Sequence, residues 1–272
     1  YYGGTGLGII LSSLLVPVLS NWALQNGWEH AWQAAWFGIA IAGFILALLL
    51  IKPSLAVPEA PPKQKGSEST AVSRYGFIVV GYCCFGMGYI GYMTFVIALL
   101  KQMGVQAWSL NIFYAILGLC VMASSRIWAW MLDRFKGGQS MAILNSLLCI
   151  ACFIPAVIAM KIQANLGMAT GDQLSNFDLV GIYLSGIIFG SSFLTVVAST
   201  TAFVKHNMHQ SQWVAGITVF TTIFAFGQIL GPALVGWISD GGGLARGLLL
   251  SGVILLVGAV FAWFQRSLIS QK

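Results

Sequence analysis

Charge is what this sequence has least of. Across 272 residues only 7% are Asp, Glu, Lys or Arg, against about 25% in a soluble domain. Hydrophobic residues make up 58%, and the mean hydropathy is +0.86. No soluble core absorbs so much apolar side chain, which excludes a soluble enzyme or binding module. Acids are scarcest: Glu29, Glu59, Glu68, Asp133, Asp172, Asp178 and Asp240 are all there are, each outside the apolar runs or at their ends. There is no HExxH, no acid pair inside an apolar run and no Ser with a His in plausible reach, so no enzyme active site, metal or cofactor is expected. His206 and His209, in KHNMHQ, read as a solvated loop. The five cysteines (83, 84, 120, 149 and 152) all lie inside apolar runs, which excludes a disulfide framework. Cys149 and Cys152 form a CxxC, but one such pair supplies only half the ligands of a structural zinc. The chain opens on Tyr1 straight into a glycine-rich apolar run with no basic n-region, so it is not a signal peptide, and a longer protein beginning earlier is expected.

What is there is apolar sequence in blocks long enough to cross roughly 30 Å of hydrocarbon as helices. They cover residues 2–19, 34–51, 75–100, 108–132, 140–160, 179–204, 214–238 and 247–264. Continuous runs exclude a membrane barrel, whose strands alternate. The expected fold is therefore an all-α polytopic membrane protein with eight transmembrane helices. One long polar run, residues 52–74, divides two of these helices from six; it holds Pro53, Pro58, Pro61 and Pro62 and reads as a linker. The units are 1–51, the linker 52–74, 75–268 and a short tail 269–272.

Eight crossings put Lys52, Lys63, Lys65, Arg74, Arg126, Arg134, Lys136, Lys205, Arg266 and Lys272 on the linker side, against Lys101, Lys161 and Arg246 opposite. Basic residues accumulate on the cytoplasmic side, so the linker and both chain ends are expected there. This distribution, a net +6 spread along helix flanks without a patch of interleaved aromatics, excludes a nucleic-acid partner. The ten tryptophans fall in loops or near helix ends, as interfacial belts do. Small residues four apart, Gly4 and Gly8, Gly186 and Gly190, Gly227 and Gly231, suit close helix approach in lipid. An internal repeat brings Pro17 onto Pro232, Trp22 onto Trp237, Gly27 onto Gly242 and Gly43 onto Gly258.

Helical periodicity marks polar stripes that could line a cavity or simply pack. They are Tyr82, Phe85, Tyr89 and Tyr92; Asn111, Tyr114, Gly118 and Ser125; Ser185, Ser192, Thr195 and Ser199; and Thr218, Thr221, Ala225 and Gln228. Arg126 is the one charge well inside an expected span, on a face shared with Trp130 and Asp133. It is read either as snorkelling toward Asp133 or as a gating or solute contact.

The stretch SRIWAWMLDRFKGGQS, residues 125–140, resembles the loop signature of the major facilitator superfamily, with Ala129, Asp133, Arg134, Lys136, Gly137 and Gly138 in the motif positions. It departs in having Ala129 for the leading glycine and one extra residue before the turn glycine. GQILGPALVG, with Gly227, Gly231 and Pro232, resembles the family's glycine–proline helix motif. With GTGLGIILSSLLVPVL and FGMGYIGYMTF, the pattern is similar to the bacterial YbfB/YjiJ-like branch. The resemblance implies helices five to twelve of twelve: the last two of an N-terminal bundle, then a complete C-terminal bundle. It further implies secondary active transport of a small solute across the bacterial inner membrane by alternating access, with or without a coupling proton, by a monomer in the lipid bilayer. The alternative is a receptor or sensor that keeps the fold without transporting. On this reading Tyr82, Tyr89, Tyr92, Asn111, Tyr114, Ser192, Thr195, Thr218 and Gln228 are cavity candidates. Arg126, Ala129, Asp133, Arg134, Gly137, Gly227, Gly231 and Pro232 are candidates for conformational roles.

Overall fold

In hydrocarbon every backbone N–H and C=O must be satisfied within the protein, and a sequence of long apolar runs can do this only as helices. The computed structural model describes residues 3–57, 71–166 and 174–268, and no strand occurs among them. The helices are α1 Gly3–Gln25, α2 Trp32–Leu55, α3 Gly76–Gln102, α4 Ala107–Ile127, α5 Ala129–Arg134, α6 Gln139–Leu166, α7 Asn176–Asn207, α8 Trp213–Gly242 and α9 Leu244–Phe264. Counting α4 with α5, eight spans among the described residues are long and apolar enough to cross a membrane. The protein is thus an all-α, multi-pass membrane protein. The middle of the expected linker (58–70), residues 167–173 and the tail 269–272 lie outside the described residues.

Helix ends extend beyond the apolar runs. The expected loop 20–33 shrinks to residues 26–31, because α1 continues to Gln25 and closes on Gly27. Gly27 has φ +74°, and the Trp28 N–H returns to the Ala23 carbonyl at 3.0 Å, a closure that favours glycine. At the linker, α2 carries Lys52 and Pro53 in its final turns, and a 3₁₀ turn, Val72–Tyr75, leads into α3.

The largest difference from the sequence reading is in the span expected over 108–132, which breaks at Trp128 into α4 and α5. Two causes coincide, one local and one from another helix. Ser124 turns its hydroxyl onto the Val121 carbonyl at 2.8 Å, loosening the helical ladder beside Ser125. The Trp128 indole N–H then donates to the Ser191 carbonyl of α7 at 2.9 Å, drawing the chain sideways. Arg126 and Asp133 therefore do not share one continuous helical face, and no ion pair joins them. The ion pair found among the described residues is Lys161 with Asp178, at 3.4 Å.

Helices α3, α4, α6, α7, α8 and α9 pack into one bundle, with α3 against α9 and α8, α4 against α7, and α6 against both α9 and α7. Its interior is aromatic. Tyr82, Phe85 and Tyr89 of α3 stack with Phe224 of α8, and Phe193 and Phe189 of α7 carry the stack on to Tyr92. The α1–α2 hairpin stands apart, its faces largely exposed, and meets the bundle chiefly where α1 crosses α4.

Candidate functional site

Where α1 crosses α4, two glycines face each other. A Cβ built on Gly6 would lie 2.5 Å from the Gly118 carbonyl oxygen, and one on Gly118 would lie 2.6 Å from Ile10 Cγ1 and 2.9 Å from the Gly6 oxygen. The expected pair Gly4 and Gly8 has nothing within 4 Å of either position, so Gly6 makes the approach instead. Beyond this crossing, toward the turn joining α3 to α4 (residues 103–106), the helices part and leave a cleft of about 560 Å³. α1 contributes Ser12, Ser13, Pro17 and Ser20; α3 contributes Met93, Ile97 and Lys101; α4 contributes Asn111 and Tyr114.

The polar groups of this cleft differ in how they are used. Ser12 and Ser13 donate to the Ile9 and Ile10 carbonyls of their own helix, at 3.0 and 2.8 Å, and so face the cleft as acceptors. Asn111 and Tyr114, half-buried and one helical turn apart, make no side-chain hydrogen bond among the described residues. Lys101, in the last turn of α3, makes no ion pair there either. Among the described residues, no Asp or Glu lines the cleft.

The other polar stripes lie elsewhere. Tyr82, Tyr89 and Tyr92 are buried in the aromatic stack. The Tyr89 hydroxyl receives the Gln228 amide at 2.5 Å, linking α3 to α8. The Tyr92 and Ser185 hydroxyls pair at 2.7 Å, and Ser185 donates to the Ala151 carbonyl of α6, which closes that end of the stripe inside the bundle. Ser192 and Thr195 are buried in α7; Thr195 bonds back to Ser191, whereas the Ser192 Oγ has no partner among the described residues. Thr218 and Thr221 are exposed on α8 with their hydroxyls on their own helix carbonyls. Of the cavity candidates, only Asn111 and Tyr114 line the cleft.

Among the conformational candidates, Gly227 and Gly231 let α8 close on α3. A Cβ on Gly227 would lie 2.6 Å from the Cys83 carbonyl, and one on Gly231 would meet the Met87 carbonyl. Pro232 lies within the same helix. Arg126, Ala129, Asp133 and Arg134 are exposed. Gly137 is buried, and its neighbour Gly138 donates to the Gln265 carbonyl at 2.9 Å, so the turn of the loop signature is docked on the segment following α9.

Sequence reasoning missed the clasp around that turn. The Asn207 amide, buried at the end of α7, donates to the Lys136 and Phe203 carbonyls, and its oxygen accepts from the Leu268 N–H at 2.6 Å and the Ser267 hydroxyl at 3.1 Å. Gln265, also buried, accepts weakly from the Ile78 N–H at 3.4 Å and donates to the Arg74 carbonyl at 3.3 Å. These lone amides at apolar helix ends were the available signal, since buried amides are costly unless paired. His206 sits in the last turn of α7 rather than in a loop, with its Nδ1 buried and unpartnered among the described residues.

Residues 1–263 match the family described as the uncharacterised MFS-type transporter YbfB. The chain belongs to this family. No curated protein and no solved structure matches it. The protein is accordingly an MFS-type transporter built on membrane-spanning helices.

Proposed function

We propose that the chain supplies helices five to twelve of a twelve-helix secondary transporter. On this reading α1 and α2 end one bundle, α3–α9 form the other, and the polar run between them is the cytoplasmic linker. A small solute crosses the bacterial inner membrane by alternating access at the cleft between α1, α3 and α4.

The observation that carries this reading is the shape of that contact. It is closed at one end by the Gly6–Gly118 crossing and parted at the other over polar groups without partners among the described residues. The bundle is held internally by the aromatic stack and the Asn207–Gln265 clasp, while α1 meets it mainly through α4. Rocking about the glycine crossing would exchange the closed and open ends without repacking either unit. With the linker cytoplasmic, the cleft opens away from the cytoplasm. The twelve-helix transporter works as a monomer in this scheme, with a proton as the candidate coupling ion.

Flux is the test. Proteoliposomes holding the intact transporter should accumulate solute under an imposed gradient. In a background without native cysteines, Asn26→Cys and Lys136→Cys should react with an impermeant reagent from opposite sides. Saturable binding without flux under any gradient would make the protein a receptor instead, and labelling from one side would overturn the topology.

A further inference from the structure

Besides the Ser20 hydroxyl, the cleft carries three donors of different chemistry with no protein partner among the described residues: the Lys101 ammonium, the Asn111 amide and the Tyr114 phenol. All three can donate. The Ser12 and Ser13 hydroxyls have already spent their protons on their own helix. Among the described residues, no acid lines the cleft to neutralise Lys101. A cation in such a cleft would meet one uncompensated positive charge and no carboxylate. Lys101 is exposed at the mouth of the cleft, and a neutral solute would gain nothing from its charge. An anionic oxygen group satisfies all three donors together.

We infer that the cleft selects a small organic anion, a carboxylate or similar group held by Lys101, Asn111 and Tyr114. This rests on the cleft being the solute path proposed above. Lys101 stands at the open end, at the last turn of α3, and meets the anion first; Asn111 and Tyr114 lie one and two turns deeper along α4. Met93, Ile97 and Pro17 line the remainder and suit an apolar body of a few carbons. Any hydroxyl on that body finds acceptors in Ser12 and Ser13.

The test uses Ser12→Cys in the intact transporter lacking its five native cysteines, reconstituted in purely zwitterionic lipid. The rate at which a small maleimide alkylates the introduced thiol is measured with acetate, lactate or benzoate, and with the corresponding amides. Carboxylates should slow alkylation at about tenfold lower concentration than their amides. Lys101→Gln should abolish that difference, Lys101→Arg should restore it, and Asn111→Ala should weaken it. Equal protection by acids and amides, with the introduced thiol reactive, would overturn the anion assignment while leaving the cleft as a solute path. A thiol at position 12 that never reacts would overturn the cleft itself and the anion assignment with it. Protection that appears without carboxylate once phosphatidylglycerol is added would assign the site to a lipid headgroup and not to a transported solute.

Discussion

Gly118→Leu is the most direct test of the crossing between α1 and α4. A Cβ at Gly118 falls 2.6 Å from Ile10 Cγ1 and 2.9 Å from the Gly6 carbonyl oxygen, where ordinary contact begins at 3.4 Å. The Cβ alone thus requires the helices to part by roughly 0.5–0.8 Å, and close-packed interiors do not absorb such a shift freely. The rest of the leucine side chain requires more. Overpacking of this kind costs about 1–3 kcal/mol. The gain of about 1 kcal/mol in helix propensity over glycine is present whether the crossing is closed or open, so it cancels. The closed crossing should therefore lose population by roughly 5- to 150-fold relative to the open one. Flux should fall by about fivefold or more while the protein still reaches the membrane, because the contact joins α1 to the bundle and is not part of the bundle's own core. Nitroxides at the exposed positions Leu7 and Leu119 should show a longer distance by pulsed electron resonance. Gly4→Leu, where nothing lies within 4 Å, is the control and should transport normally. Unchanged flux and an unchanged distance in Gly118→Leu would mean that α1 and α4 do not work against each other here.

Asp133→Asn should slow turnover severely while solute binding persists, since this exposed acid lacks an ion pair among the described residues and is free to latch another helix; normal turnover would reduce the loop to a connection. Asn207→Ala should destabilise the bundle by about 1–3 kcal/mol in detergent unfolding, because the Lys136 carbonyl and the Leu268 N–H lose their buried partner; an unchanged midpoint would show that the clasp is replaceable by water. Single replacement of Glu29, Asp133, Asp178 or Asp240 should leave solute-driven proton movement intact, because none lines the cleft; loss of coupling with transport preserved in any one of them would place the proton carrier in this chain.

The spans were legible because lipid imposes one requirement, length of apolar sequence, on every helix alike. Their ends were less so: residues such as Asn176 and Gln139 prolong helices into polar sequence, where hydropathy has no signal. The break at Trp128 was not legible because half its cause is the Ser191 carbonyl of another helix, more than sixty residues away. Glycine periodicity pointed to Gly227 and Gly231 at the α3–α8 contact and misled at Gly4 and Gly8, since spacing identifies a smooth face but not the neighbour that uses it. The tyrosine stripe illustrates the same limit. Tyr82, Tyr89 and Tyr92 lie on one face as the period requires, but that face meets Phe224, Phe193 and Phe189. Ser12, Ser13 and Lys101 carry no such signal for the converse reason, belonging to no long periodic stripe.

Polar groups in hydrocarbon must be paired or wet, and this requirement separates the two ends of the molecule. Around the loop signature, Asn207 and Gln265 pair with backbone from α3, the α5–α6 turn and the segment after α9, so the charges beside them can stay at the surface while the bundle remains closed. Within the bundle, Tyr92, Ser185 and the Ala151 carbonyl satisfy one another, and Gln228 meets Tyr89. Lys101, Asn111 and Tyr114 have no such arrangement among the described residues, and they face the main contact that joins the α1–α2 hairpin to the bundle. Lys101 is exposed, but Asn111 and Tyr114 are half-buried, and donors so placed cost free energy unless water or solute reaches them. Their position beside the glycine crossing means that the motion which opens the cleft also decides when they are solvated, coupling solute access to the packing of α1 on α4.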